Sequence, residues 1–273
     1  MIRRLLAATA LWALIGCTAG PSAVTRTANT IDERPISART CQQPLEVTGR
    51  TRTKNEELAS MRVQLGQEYM QQGAFEVAMR EIQQALKLNP RSAEGHHAKA
   101  LLHQQLGQPG LAEKAFHKAL ELAPGDPRLN NNYGVFLCER GRYADAHAHF
   151  DCAIDNPFYT TPETAYLNAG SCSATAGEYQ EAERYLLTAL QLAPDSTRAL
   201  LLVAEAKYMQ GAYQPARAYL QRYLTAAPHS PKSLALGIGI EQELGDLDRL
   251  ASYRLLLFGK FPDSPEAQRL SQP

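Results

Sequence analysis

An excess of charge of either sign is the first thing this sequence lacks. Its 273 residues carry 28 basic and 28 acidic side chains. That balance excludes the basic surplus of a dedicated nucleic-acid binder, so no nucleic-acid partner is expected. Cysteine is scarce: five residues are too few for a disulfide scaffold, though enough for a bridge. β-Branched residues are sparse through the body of the chain, which favours an all-α reading. Phosphate loop, nucleophile elbow and paired catalytic motif are all missing. The scattered Ser, His and Asp residues converge on no site, so neither an enzyme, a cofactor nor a small-molecule substrate is expected. The apolar run at residues 5–15 is too short to span a bilayer as a stable anchor.

What is present is a period. Residues 129–150 read L-N-N-N-Y-G-V-F-L-C-E-R-G-R-Y-A-D-A-H-A-H-F. Tyr133 and Leu137 share one stripe, Ala146, Phe150 and Ala153 another, so two short amphipathic helices meet at Gly141. Glycine recurs at Gly73, Gly107, Gly141, Gly177, Gly211 and Gly245, spaced 34, 34, 36, 34 and 34. Proline follows each second helix, at Pro90, Pro124, Pro157, Pro194, Pro228 and Pro262. Between them come a small residue (Ala78, Ala112, Ala146, Ala182, Ala216, with Leu250 the exception), a bulky one (Ile82, Phe116, Phe150, Leu186, Leu220) and usually a second alanine. Small residues let two helices approach, and the bulky one fills the groove between them. This order resembles the tetratricopeptide repeat. The expected fold is therefore an all-α, right-handed superhelical solenoid of six helix-turn-helix repeats over residues 56–262, with residues 263–273 as a capping tail. Gly237 and Gly239 fall inside the first helix of the last repeat, where each is expected to weaken it.

Residues 1–16 read as a targeting segment: Arg3 and Arg4 precede the apolar run, which ends in Leu14-Ile15-Gly16-Cys17. That tetrad resembles the lipobox of bacterial lipoproteins. The resemblance implies cleavage before Cys17 and acylation of that cysteine, since several acyl chains hold a bilayer where one holds it marginally. Thr18 in place of aspartate implies, on the same resemblance, the outer membrane. Residues 17–55, rich in Thr, Arg, Ser and Pro, read as a lipidated flexible tether containing Cys41.

His96, His97, His103 and His117 crowd the second repeat, and His149 and Cys152 lie three apart on one helix. No set supplies a third ligand at a useful spacing, so they read as packing residues and no metal is expected. Cys138 and Cys172 are 34 residues apart and stand at nearly the same height on adjacent first helices, within reach of a bridge. Cys152, on a second helix, is a weaker candidate, and three buried free thiols remain the alternative.

Two stretches carry a closer match: residues 129–138, L-N-N-N-Y-G-V-F-L-C, and 233–238, S-L-A-L-G-I, followed by Ala251-Ser252-Tyr253 and Phe261-Pro262. With the lipobox and six repeats, they resemble the type IV pilus biogenesis and stability lipoprotein, the tetratricopeptide pilotin of the pilus secretin. The resemblance covers residues 57–270. It implies an outer-membrane, periplasm-facing lipoprotein that binds pilus secretin subunits and promotes their targeting and assembly for pilus biogenesis and twitching motility. It also implies cysteines bridged at Cys138 and Cys172. A different periplasmic lipoprotein scaffold is the competing reading. The first helices of such a stack line a concave groove, where Asn131, Asn132, Val135, Leu167, Asn168, Ser171, Leu201, Glu205 and Tyr208 are the predicted inward residues. Asn132 and Asn168 match in position, but the basic residues that would complete a carboxylate clamp are not evident.

Overall fold

A computed structural model describes residues 51–271. The signal segment, Cys17, Cys41 and most of the tether lie outside the described residues. Within them are thirteen helices and no strand. Six hairpins follow one another: α1 (Lys54–Gln71) with α2 (Phe75–Leu88), α3 (Ala93–Gln105) with α4 (Pro109–Leu122), and α5 (Pro127–Glu139) with α6 (Tyr143–Ile154). Then come α7 (Pro162–Thr175) with α8 (Tyr179–Leu192), α9 (Thr197–Met209) with α10 (Tyr213–Ala226), and α11 (Pro231–Leu244) with α12 (Leu247–Lys260). A last helix, α13 (Pro265–Ser271), packs on α11, where Ala267 covers Leu234, Ile238 and Leu257.

Local chemistry sets the ends of each hairpin. First helices begin on side-chain caps: Thr53, Ser92, Asp126, Ser196 and Ser230 each accept a backbone N–H of the first turn. The turn inside each hairpin is made by the periodic glycine, with φ between 65° and 81° at all six positions. At Gly141 its own N–H donates to the Cys138 carbonyl (2.9 Å) and the Arg142 N–H to the Leu137 carbonyl (3.0 Å), closing the first helix with a left-handed residue.

The small–large–small order becomes the core. Ala78, Ala112, Ala146, Ala182 and Ala216 are fully buried, as are Ile82, Phe116, Phe150 and Leu186, with Leu220 nearly so. Each bulky side chain presses on the first helix of its own hairpin, and in three repeats glycine receives it. A Cβ on Gly66 would stand 2.8 Å from Ile82, on Gly134 2.7 Å from Phe150, and on Gly170 2.5 Å from Leu186. Replacing Gly134 by leucine is therefore expected to lower the unfolding free energy by about 1–3 kcal/mol, as forced overpacking does. Urea denaturation would show it. Gly110→Ala, at a position with nothing within 4 Å, serves as the control and should lose nothing.

The last repeat departs from the pattern. Where Leu220 stands one repeat earlier, the chain has the exposed Arg254, and Tyr253 supplies the bulky group instead. Gly237 and Gly239 do more than weaken α11. The Tyr253 ring lies 2.9 Å from where a Cβ on Gly237 would be, and the Tyr208 hydroxyl 2.9 Å from one on Gly239. Close approach on both faces of α11 requires these two residues. Glu241, on the same helix and 1% exposed, is held by Arg217 of α10, whose Nε donates to it at 3.0 Å and whose second nitrogen also reaches Asp246.

Between repeats three and four, residues 155–161 replace the usual four-residue link. Asn156 ties this longer segment to its neighbour by donating to the Gly125 carbonyl at 2.8 Å. Tyr159 turns inward on Ala153 and Ala165, while Phe158 points out, 79% exposed. A disulfide joins Cys138 of α5 to Cys172 of α7, with Cα atoms 5.8 Å apart. Cys152 is buried on α6 and is itself disulfide-bonded, not a free thiol.

Candidate protein-interaction groove

The first helices α1, α3, α5, α7 and α9 supply one face of the stack, and neighbouring members pack directly, α1 on α3, α5 on α7 and α7 on α9. Their polar groups are joined to one another before any ligand is considered. Asn168 Nδ2 donates to Asn131 Oδ1 at 3.1 Å, Asn131 Nδ2 to Asn132 Oδ1 at 3.2 Å, and Asn132 Nδ2 to His97 Nε2 at 3.0 Å. This chain of side chains crosses α7, α5 and α3. It needs His97 neutral, with Nε2 as acceptor, and burial supplies that by pushing its pKa down to about 4.

Asn131 was predicted to face a ligand. The structure buries it, 4% exposed, with both amide atoms spent between Asn132 and Asn168. It is an inter-repeat bridge, because the neighbouring helix comes closer than an isolated hairpin suggests. Val135, Asn168 and Ser171 line a cavity of about 210 Å³ together with the Cys138–Cys172 bridge and Arg198. Asn132 lines a second, of about 230 Å³, with Gln67, His97 and Arg128. Leu167 and Leu201 are half-buried against the core of repeats four and five. Tyr208 packs on the same core, its ring 5.7 Å from that of Tyr213. Glu205 is neutralised by Lys232 at 2.7 Å. The nine predicted residues thus divide into a lined trough in repeats two to four and a packed, ion-paired stretch in repeat five.

Sequence reasoning missed the N-terminal part of the same face. A larger cavity, about 650 Å³, lies over α1 and α3 and is lined by Gln67, Met70, Gln71, Leu101, Gln104, Gln105 and Glu139. A signal was there: Gln71 and Gln105 are 34 residues apart.

The histidines are structural. His96 Nε2 lies 3.0 Å from the Pro90 carbonyl, His103 Nδ1 2.7 Å from Gln108 and His149 Nδ1 2.8 Å from Asn130, while His117 sits beside the Tyr133 hydroxyl at 3.3 Å. Burial lowers the His149 pKa to about 4 and raises that of Tyr133 to about 12. Among the described residues no three His, Cys, Asp or Glu side chains come together as a metal site, and no helix is long and apolar enough to cross a membrane.

Stacked hairpins with positive-φ glycines, a small–large–small core and a groove of first helices define a tetratricopeptide-repeat protein. Family comparison agrees: the tetratricopeptide repeat matches residues 97–159 and 173–231, and a second repeat profile matches 66–107. The chain belongs to the tetratricopeptide family of type IV pilus biogenesis factors that includes PilW and PilF. It is 33% identical to PilW, described as a widely conserved type IV pilus biogenesis factor, whose crystal structure superposes with a TM-score of 0.75 over 78% of this chain and 98% of that one. The PilF structure from Pseudomonas aeruginosa gives 31% identity and a TM-score of 0.73 over 80% and 98%. In sequence, the Pseudomonas aeruginosa type IV pilus assembly protein PilF is 32% identical over 151 residues, 55% of this chain and 60% of that relative's length.

Proposed function

We propose that the protein is a lipid-anchored assembly factor for the type IV pilus secretin. In this reading Cys17 is acylated and holds the chain on the periplasmic face of the outer membrane, and the groove of first helices receives a secretin subunit during assembly of the exit ring. The observation that carries it is the likeness to PilW and PilF across nearly the whole of both those structures, set beside a concave face with open recesses. A non-enzymatic role follows from the same face. Its polar groups are engaged with one another across repeats, and nothing there pairs a nucleophile with an accessible base.

Deleting the gene is expected to remove the high-mass secretin ring while monomer remains. Blotting unheated membrane extracts reads both species, and an intact ring in the deletion strain would sink the proposal. The anchor has its own test. Cys17→Ser should move the protein from the outer-membrane fraction to the soluble periplasm and abolish labelling by an alkyne fatty acid. A variant that stayed with the membrane and kept its label would refute the lipid attachment. Capture of the lipidated protein from outer membranes, followed by identification of what comes with it, separates the secretin from any other envelope scaffold.

A further inference from the structure

Three recesses run end to end along the concave face. The one holding His97 and the larger one over α1 and α3 share Gln67 and Leu101. The larger one and the recess beside the disulfide share Glu139. Together they make a continuous trough across α1, α3, α5 and α7. Its widest part is lined chiefly by side-chain amides, Gln67, Gln71, Gln104 and Gln105, with Met70 and Leu101 among them. Gln104 donates to Glu139 at 2.7 Å, while Gln67, Gln71 and Gln105 have no hydrogen bond among the described residues.

A side-chain amide offers the same donor and acceptor as a peptide group. Several of them side by side suit a main chain whose N–H and C=O groups are free. An α-helix has spent those groups on itself and has almost none to give. A charged ligand gains little here, because Glu139 is the one ionised residue lining this part. We propose that the trough takes its partner as an extended, uncharged stretch of polypeptide. The main chain pairs with the glutamine amides, and apolar side chains enter beside Leu101 and Val135. Four neighbouring helices at ~9 Å spacing span about 27 Å, which roughly eight extended residues cover. This rests on the reading that the groove is where the assembly partner binds, and it fixes the conformation and chemistry of what enters.

The full-length chain, purified in detergent, is panned against displayed random twelve-residue peptides, and the best binder is resynthesised in two forms, one N-methylated at alternate main-chain amides. The enriched pool should be poor in charged residues. Affinity of the unmodified peptide should change less than about twofold between 0.05 and 0.5 M NaCl, because no ion pair is made. N-methylation should weaken binding at least about tenfold, and the double variant Gln67→Ala/Gln104→Ala by about fivefold or more, since each lost neutral hydrogen bond is worth about 1 kcal/mol. A circular-dichroism spectrum of the variant equal to the parent's keeps the loss attributable to the groove. No enrichment, a charged or helical binder, or full affinity after N-methylation would overturn the inference. The secretin is captured in parallel from membranes with the parent chain. Capture that succeeds while the peptide results fail condemns only the extended, amide-read mode. Failed capture beside successful peptide results condemns the choice of partner and leaves the trough chemistry standing.

Discussion

Glu241→Ala is expected to destabilise the protein by about 3 kcal/mol, read as a shift in the urea midpoint at unchanged slope. Glu241 is 1% exposed and sits on α11, while its partner Arg217 comes from α10 of the preceding hairpin and retains 19% side-chain exposure. Removing the carboxylate leaves a guanidinium facing a largely apolar seam, and breaking such a pair typically costs 3–5 kcal/mol. The lower end applies because Asp246 remains 3.4 Å from Arg217 and keeps part of the compensation. The decisive companion is the double change Arg217→Met/Glu241→Met. Desolvating two charges offsets most of their attraction, so an apolar pair of similar volume should come within about 1 kcal/mol of the parent. A double variant as unstable as Glu241→Ala would mean that the pair holds α10 to α11 by more than mutual compensation.

Stability is also expected to fall as pH drops from 6.5 toward 4, by up to roughly 3 kcal/mol for each of His97 and His149. Burial is the main cause in both, and it holds each pKa near 4 where the unfolded chain has 6.5. Above 6.5 neither state binds the proton, and the full contribution is present. Between 6.5 and 4 the unfolded chain is protonated and the folded one is not, so unfolding gains about 1.4 kcal/mol per pH unit per histidine. Below 4 the contribution is gone. Urea titrations at pH 7, 6 and 5 would read the slope before the carboxylates titrate. The double variant His97→Asn/His149→Asn should flatten it, and a slope that persists unchanged would assign the acid sensitivity elsewhere. His97 is the end of the side-chain bridge through Asn132 and Asn131 to Asn168, so acid should loosen the joins between repeats two, three and four first.

Much of this architecture is written in residue order because it depends on contacts within one hairpin. Gly141 and its five counterparts must accept positive φ, and Ala146 and Phe150 must face their own first helix. Both demands recur every 34 residues and so show up as a period. Contacts between repeats are less legible. Asn131 lies on an inward-facing stripe, and only the position of α7 decides that it bridges rather than binds. Gly237 looks like a weak point in α11 until Tyr253 is placed against it. Arg254 looks like a missing core residue until the bulky group is found one position earlier. The glutamine cavity was overlooked for a similar reason. Polar residues on a helix face read as solvated surface, and concavity belongs to the stack, not to any one helix.

The covalent link between α5 and α7 bears on how the array responds to tension. A row of hairpins, each leaning mainly on its neighbours, opens under load one unit at a time from its ends. Pulled apart by its termini, such a chain would release the first two hairpins freely and then meet a fixed stop at Cys138. The segment between Cys138 and Cys172 forms a closed loop that bears no load, so the extension gained on passing the third hairpin falls short by the length it encloses. The middle of the molecule thus behaves as a clasp, and an assembly factor pulled between a membrane and a growing ring would keep its central trough shaped after its outer turns had given way.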